Sequence, residues 1–214
     1  MIKAEYIHHC GGDITVANSA RVSFDNESEL EYDAWGPPKL KEKDAKLIRY
    51  LARERHISPF GHCFATFRVK APIFVARQLV KHKFLRWNEV SRRYVDSDPE
   101  FYEPKQWRGR SADKKQGSEG VVNITLDQEL QWNRQLSTYK TLLSEGVAPE
   151  QARIVLPQST FTEWYWSGSL DAFSDMANLR CKEDTQAETQ EVAWAISLKM
   201  EDLFPVSWVA LRDE

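Results

Sequence analysis

The sequence predicts an α+β fold in one domain over residues 1–214, and three observations support this prediction. Residues 63–70 alternate with a period of two, which indicates a strand. Several longer segments carry apolar residues at helical spacing. Strands and helices do not alternate regularly, as they would in a doubly wound sheet. The chain is long enough to bury a substantial core, and neither a linker nor an internal repeat divides it.

The N-terminal quarter predicts a strand followed by a helix. Residues 2–8 are typical of an opening strand, which ends at Gly11 and Gly12. Residues 44–55 place apolar side chains at helical spacing behind a possible cap at Asp44. One face of this helix should therefore meet the core.

The next segment predicts a strand joined directly to a helix. In residues 63–70, apolar odd-numbered residues alternate with mostly polar even-numbered ones, so one face should be buried and the other partly wet. Pro72 suits the start of a helix over residues 73–82, because the N–H that proline lacks is not needed there. The strand, its turn and this helix would bring residues 77–83 to one place.

The second half predicts a polar loop followed by helices. Residues 108–120 are rich in Lys, Gly, Ser and Asp, which is typical of a mobile surface loop. Long helices are predicted over residues 127–145 and 184–203, the second stopped by Pro205, with a short helix over residues 149–157 between them. The predicted inward positions of the first long helix are Leu130, Leu136, Tyr139, Leu142 and Leu143.

Composition excludes several classes of function. A formal net charge of -3 argues against a protein that coats nucleic acid or an anionic membrane. The three cysteines are far apart and form no CxxC pair, so neither a disulfide framework nor a zinc site is expected. No signal peptide and no run of bilayer-spanning length is recognisable. We therefore expect a cytoplasmic protein without metal, nucleic-acid or membrane partners, whose anion sites are local.

The densest polar constellation is the run of residues 77–83, RQLVKHK, followed by NEVSRRY at residues 88–94. A charge run of this kind is most often the solvated end of a helix. The functional interpretation is an anion site, because arginine grips phosphate at two points and neighbouring cations favour an anionic ring or diphosphate. No GxGxxG or GxxxxGK[ST] loop is present to cradle phosphate instead.

This run resembles the signature of the flavin-dependent thymidylate synthases, which is Arg-His-Arg, seven residues and then Ser. Here Lys81-His82-Lys83 precedes Ser91 by the same spacing. Four further blocks are similar to motifs of that family: residues 20–23, 56–62, 149–153 and 178–180. The resemblance therefore extends over most of the chain, from about residue 20 to about residue 193.

The resemblance implies helices around a mainly antiparallel sheet, a homotetramer with sites shared between subunits, and synthesis of dTMP. In that reaction the methylene of 5,10-methylenetetrahydrofolate goes to C5 of dUMP, and FAD that NADPH has reduced supplies a hydride. The implied dUMP-binding residues are Gln78, Glu89, Ser91, Arg93, Arg153 and Arg180. The implied FAD and folate residues are His56, Ser58, Lys81, His82, Lys83, Glu89 and Asp175. The implied catalytic residues are Ser91, Arg180 and His56.

Several departures from the family pattern fall on the flavin side. Lys81 and Lys83 keep the charge of the two signature arginines but lose their two-point fork. Gly61 replaces the glutamate of the Pro-Phe-Glu-His motif, and Gln186 stands where a histidine is usual. Flavin binding is therefore where this chain should differ most from the family.

Three other functions remain open from the sequence. Water could trap the methylene intermediate in place of hydride, giving a 5-hydroxymethyl nucleotide on the same fold. A nucleic-acid-binding module could use the cations of residues 77–93 with Trp87 and Tyr94 for stacking, although the acidic balance of the whole chain counts against it. A relative that has lost catalysis could bind the nucleotide alone.

Overall fold

A four-stranded antiparallel sheet forms the centre of the fold in a computed structural model that describes residues 1–33, 36–112 and 117–212. The strands are β1 (Lys3–Cys10), β2 (Phe64–Pro72), β3 (Arg86–Glu89), β4 (Trp107–Gly109), β5 (Glu119–Val122) and β6 (Phe161–Ser169). The helices are α1 (Asp13–Arg21), α2 (Glu42–Arg53), α3 (Ile73–Leu79), α4 (Gln128–Ser144), α5 (Pro149–Ala152), α6 (Leu170–Arg180), α7 (Ala187–Leu203) and α8 (Pro205–Leu211). This mixture confirms the predicted α+β class. Within the described ranges, no helix has both the length and the apolar character needed to cross a membrane.

The main sheet has the order β1-β2-β6-β3, and each neighbouring pair is antiparallel. The two central strands pair along their whole length, from Phe64 opposite Ser169 to Pro72 opposite Phe161. The strands β4 and β5 form a separate hairpin. The mainly antiparallel sheet that the family resemblance implies is therefore present.

One face of the main sheet is buried under helices. The strand β2 shows the predicted alternation, with Ala65, Phe67 and Val69 buried and Arg68 exposed. Helix α7 contacts β1 and β2, and α6 contacts β6. Burying a side chain as large as Phe67 stabilises the fold by roughly 1.5–3 kcal/mol. This shared core fixes the ends of α3, α6 and α7 relative to one another.

The central strand β6 is one that the sequence analysis did not assign. Its buried face carries Trp164, Trp166 and Gly168. Trp164 stacks on Trp87 of β3 with ring centroids 4.2 Å apart and planes 18° apart, and Trp166 meets Trp87 edge-on at 5.8 Å. Leu85 packs over Gly168. Because aromatic pairs contribute about 0.5–1.5 kcal/mol beyond their burial, this indole cluster stabilises β3 against β6.

The predicted cap at Asp44 is wrong. Helix α2 begins two residues earlier, with Lys41 at its N-cap position. The Asp44 carboxylate is fully buried, and it accepts hydrogen bonds from Arg21 Nε at 2.8 Å and from Ser28 Oγ at 2.6 Å. Asp44 therefore joins α1 and the segment after it to α2.

Three other predicted helices differ in their ends or faces. Helix α3 ends at Leu79 and not at residue 82, so the lysine-histidine-lysine triplet lies in the loop of residues 80–85. The last predicted helix begins at Ala187, and Pro205 starts α8 instead of ending the helical structure. In α4, Leu130 is 45% exposed, whereas Trp132 is buried.

The segment predicted as a mobile loop contains much of the β4–β5 hairpin. Trp107 pairs with Val122 and Arg108 with Val121, and Arg108 also binds residues outside the hairpin. The prediction of a segment without regular structure is therefore wrong at both of its ends. Residues 113–116 lie outside the described residues.

Candidate functional site

The ends of α3 and α6 bring together three of the predicted site residues, Gln78, His82 and Arg180, which we call the Arg180 cluster. Arg180 Nε donates a hydrogen bond to His82 Nε2 at 3.0 Å, and its Nη2 donates to the Gln78 carbonyl oxygen at 3.4 Å. The guanidinium group is thus held from two sides. Its orientation is set before any ligand arrives.

His82 is neutral near neutral pH. Burial, together with the positive charge of Arg180, lowers the pKa of His82 from 6.5 to about 4, and burial is the larger of the two causes. The unprotonated Nε2 can therefore accept the hydrogen bond from Arg180. The cluster carries one positive charge, that of the guanidinium group, at its centre.

The side-chain amide of Gln78 is held at both ends by the first turn of α7. Gln78 Nε2 donates to Gln186 Oε1 at 2.5 Å, and Thr189 Oγ1 donates to Gln78 Oε1 at 3.3 Å. Thr189 is fully buried. The sequence analysis named Gln186 only as a departure from the family pattern and did not identify Thr189, since nothing local links the start of α7 to α3.

A second set of predicted residues surrounds a cavity of about 310 Å³, which we call the Glu89 cavity. Glu89 on β3 accepts a hydrogen bond from Thr162 Oγ1 at 2.7 Å and another from Trp87 Nε1 at 3.1 Å. The exposed side chain of Arg153 lines the same cavity. A carboxylate and a guanidinium group thus face one space, which suits a ligand with both donors and an anionic group.

Glu150 contacts both Arg93 and Arg153 and so brings their side chains together, close to Ser91. Arg153 Nε donates to the Glu150 carbonyl oxygen at 3.2 Å, and Arg93 Nε lies 3.9 Å from Glu150 Oε2. The backbone N–H of Arg93 donates to Ser91 Oγ at 3.3 Å. Arg93 also lies over the ring of Tyr94. The two exposed guanidinium groups form a place where an anion can be bound from solvent.

A third set of predicted residues lies beside a cavity of about 860 Å³, which we call the Asp175 cavity. Asp175, Arg53 and Arg55 line it. His56 is exposed next to this lining and stacks on Tyr50 with ring centroids 6.2 Å apart. Ser58 begins the 3-10 turn that follows.

Gly61 leaves space beside a buried carboxylate oxygen of the half-buried Asp171. A Cβ at residue 61 would lie 4.0 Å from Asp171 Oδ1. Asp171 is one of the residues that line the Asp175 cavity. Its Oδ1 is buried and has no hydrogen-bond partner in the described part of the chain. A glutamate at position 61, as in the family motif, would place a second negative charge near Asp171.

The predicted residues therefore form three sets within one chain, and the sequence did not predict this division. Of the residues predicted to bind dUMP, Gln78 and Arg180 belong to the Arg180 cluster, whereas Glu89 and Arg153 line the Glu89 cavity. The Glu89 and Asp175 cavities have no lining residue in common. The two flanking cations of the triplet, Lys81 and Lys83, have exposed side chains.

Two of the three cysteines cannot readily supply a thiolate. Burial raises the pKa of Cys63 to about 11 and also raises the pKa of Cys181. Both are therefore thiols at neutral pH. Cys10 is exposed on the edge strand β1.

Comparison with known proteins gives one consistent result. The family model described as thymidylate synthase complementing protein matches residues 5–206. A flavin-dependent thymidylate synthase of Thermus thermophilus is 37% identical over 213 residues, which cover 97% of this chain and 74% of that protein. A flavin-dependent thymidylate synthase of Thermotoga neapolitana is 36% identical over 208 residues, which cover 96% of this chain and 88% of that protein.

Solved structures agree with the sequence relatives. The crystal structure of the UMP/dUMP methylase PolB from Streptomyces cacaoi bound with 5-Br dUMP superposes with a TM-score of 0.82 at 31% identity, covering 98% of this chain and 94% of that one. The crystal structure of the same methylase bound with 5-Br UMP gives a TM-score of 0.81 at 30% identity and covers 98% of this chain and 93% of that one.

Proposed function

This chain belongs to the flavin-dependent thymidylate synthase family, and from that membership we propose how its residues make dTMP from dUMP. The methylene of 5,10-methylenetetrahydrofolate is transferred to C5 of dUMP and is reduced to a methyl group. FAD, once reduced by NADPH, supplies the hydride for that reduction. The observation that carries the residue assignment is the Arg180 cluster, where a guanidinium group is held by a neutral histidine next to Gln78.

Arg180 stabilises the negative charge that develops on a uracil oxygen when C5 acts as a nucleophile. A donor that is already oriented needs no reorganisation during the reaction. The neutral His82 is suited to this task, because a protonated imidazole would repel the guanidinium group and could not accept its hydrogen bond. Gln78 contacts the base beside them.

Arg93 and Arg153 bind the phosphate of dUMP. Both guanidinium groups are exposed, and Glu150 keeps them close together. Ser91 and Glu89 complete this set, with the Glu89 carboxylate held by Thr162. Charge-assisted contacts of this kind are typically worth about 1.5–3 kcal/mol each.

The Asp175 cavity fits part of FAD. Arg53 and Arg55 offer positive charge for a diphosphate, and the unpartnered buried oxygen of Asp171 offers an acceptor for a ligand N–H or O–H. His56, Ser58 and Asp175 are the residues we assign to the flavin and folate side here. The other residues that we assign to the flavin and folate lie on other surfaces of the fold: Lys81, His82, Lys83 and Glu89.

We infer that the functional site is completed across subunits of a homotetramer. The support is the division of the site residues into three sets, of which two lie at cavities that share no lining residue. A ligand that needs residues of two sets would be reached by residues of two copies of the chain. The three free cysteines suit a reducing cytoplasm as the location.

The reaction does not use a cysteine nucleophile in this proposal. Cys63 and Cys181 are buried, and burial raises the pKa of both thiols, while the exposed Cys10 lies at the end of β1, outside the three sets of site residues. A cysteine route would need a thiolate at C6 of uracil. We therefore propose that preorganised charges around the base activate the uracil ring of dUMP.

Product identification by mass spectrometry tests the proposal. The protein is incubated without oxygen with dUMP, methylenetetrahydrofolate, FAD and NADPH, and we expect a methyl increment that requires both FAD and NADPH. Arg180→Gln should lower turnover by at least about tenfold, as the loss of one preorganised donor does in other enzymes. The same change at Arg134, an exposed arginine of α4 outside the three sets, is the matched control and should leave turnover unchanged.

Three outcomes would change the assignment. A hydroxymethyl increment would mean that water, and not hydride, traps the methylene, and the departures at Gly61, Lys81 and Lys83 motivate this alternative. Methylation of UMP in the same assay would extend the substrate to the ribonucleotide, an option raised by the match to a UMP/dUMP methylase. Binding of dUMP without any product would indicate a relative that has lost catalysis.

A further inference from the structure

A buried ion pair joins the β4–β5 hairpin to the first turn of α7. Arg108 Nη2 donates to both carboxylate oxygens of Glu188, at 2.6 and 2.7 Å, and the Tyr102 hydroxyl donates to Glu188 Oε1 at 3.1 Å. The Glu188 side chain is only 5% exposed. Arg108 is itself held by Ser118 Oγ, which accepts from its Nε at 2.8 Å. Each oxygen of the carboxylate therefore has a partner.

The charge of Glu188 depends on Arg108. Burial alone would raise the pKa of this carboxyl, but the hydrogen bonds and positive charge of Arg108, helped by Tyr102, outweigh burial and lower the pKa below 4.5. Glu188 is thus ionised at neutral pH. Without Arg108, burial would favour the protonated carboxyl, which would keep the Tyr102 contact but lose both bonds from Arg108, so the first turn of α7 would no longer be tied through Glu188 to the β4–β5 hairpin.

The same turn holds the amide of Gln78. Glu188 lies between Gln186 and Thr189 in the chain, and these two residues bind opposite ends of the Gln78 amide at 2.5 and 3.3 Å. A movement of the turn would release both contacts together and leave the amide with its long hydrogen bond from Nε2 to the Phe74 carbonyl oxygen, at 3.4 Å. The amide could then rotate and exchange its donor and acceptor ends.

We propose that Arg108 and Glu188 are positioning residues for nucleotide recognition, which fix the first turn of α7 so that Gln186 and Thr189 orient the amide of Gln78 toward the base. This inference rests on the proposed function, in which Gln78 contacts dUMP. Neither residue touches the nucleotide in this arrangement. Their effect passes through two contacts to one amide.

A fixed amide contributes to affinity and to the choice of base. Uracil and cytosine differ in the donors and acceptors on one edge of the ring, so an amide that cannot rotate distinguishes them, whereas a rotating amide serves both. Loss of one well-formed hydrogen bond corresponds to about 0.5–1.5 kcal/mol. We therefore expect roughly 2- to 12-fold weaker dUMP binding when the pair is broken, with a smaller preference for dUMP over dCMP.

The test uses calorimetry to measure how tightly this chain, with FAD present, binds dUMP and dCMP. Glu188→Gln removes the charge but nearly keeps the volume, and it should weaken dUMP in the expected range. In a Gln78→Ala background the same change should add almost nothing, because the amide through which it acts is gone. Arg108→Lys keeps the charge without the two-point contact and should lie between wild type and Arg108→Met.

The matched control is Asp44→Asn. Asp44 forms a comparable buried ion pair with Arg21, and the two side chains are 0% and 18% exposed. Breaking that pair should lower the melting temperature without changing dUMP affinity. Thr189→Val provides a second route to the proposed effect, because it removes the hydroxyl that donates to Gln78 Oε1 and leaves the ion pair intact.

Three results would overturn the inference. Unchanged dUMP affinity in both Glu188→Gln and Thr189→Val would show that the turn does not act on recognition. Equal weakening by Glu188→Gln with and without the Gln78 amide would show that it acts by another path. If the wild-type chain itself does not bind dUMP, the proposed function fails and the inference fails with it, which the first titration reveals.

Discussion

Gly168 allows the loop of residues 80–85, which carries three of the predicted cofactor residues, to lie against β6. A Cβ at this position would overlap Cδ2 of Leu85 and lie 3.1 Å from the carbonyl oxygen of Phe84. Phe84 has a φ of 65°, in the left-handed region, so its backbone has few alternative conformations. Gly168→Ala should therefore push the loop away from the sheet.

The loss of stability in Gly168→Ala depends on how little the residues around position 168 can move. Leu85 is 9% exposed, and residue 168 is paired opposite Ala65 between the two central strands, one residue before the end of β6. Forcing an extra methyl group into a packed core typically costs about 1–3 kcal/mol. At roughly 2–4 °C per kcal/mol for a chain of this size, the melting temperature should fall by roughly 2–12 °C.

Thermal unfolding and FAD titration together test this reasoning. Gly36→Ala is the matched control, since residue 36 is exposed, its φ lies outside the left-handed region, and the nearest atom to an added Cβ would be Asp33 Cβ at 3.7 Å. It should change stability by no more than about 0.5 kcal/mol. Gly168→Ala should lower both the melting temperature and the affinity for FAD. If Gly168→Ala matches the control in both measurements, the loop does not depend on this close approach.

Three further predictions concern the charges near the loop. Arg180→Met should raise the pKa of His82 above about 4 but leave it below 6.5, because burial, the larger cause of the shift, remains. The measurement is an NMR titration of the His82 ring, and an unchanged pKa would contradict this prediction. Neutral His82 contributes stability that is complete above pH 6.5 and is lost as the pH falls from 6.5 to about 4, where only the unfolded chain takes up the proton. His82→Gln should therefore flatten this part of the pH dependence of unfolding, and an unchanged slope would refute it. Lys81→Arg with Lys83→Arg restores two-point contacts and should tighten FAD binding by up to about tenfold in fluorescence titrations, whereas equal affinity would place the determinants elsewhere.

The sequence predicted those parts of the fold whose patterns are local. Strand β2 was recognisable because Ala65, Phe67 and Val69 are apolar and buried on one face, whereas Arg68 and Lys70 are charged on the other. The equally buried β6 was not, since Thr162 and Gly168 occupy its inner face while Tyr165 lies 47% exposed on the outer one. Polarity and burial disagree along that strand, so its period of two is hidden.

The site was predictable residue by residue but not in its arrangement. The motif identified Arg180, yet its bond to His82 joins positions 98 residues apart. The contribution of Arg108 was hidden because its partner Glu188 lies 80 residues away and its own segment is polar. Pairings over such distances depend on the packed core that brings α3, α6 and α7 together, and no local pattern encodes them.

The indole cluster gives the protein an optical reporter of its own. Trp87 and Trp164 are close and nearly parallel, and Trp166 lies edge-on to His82 with ring centroids 6.4 Å apart. Neighbouring indoles share their excitation, so their near-ultraviolet circular dichroism depends on this spacing. A flavin bound nearby would absorb the light that they emit. Ligand arrival and displacement of the loop can thus be followed in the unlabelled protein by its intrinsic fluorescence.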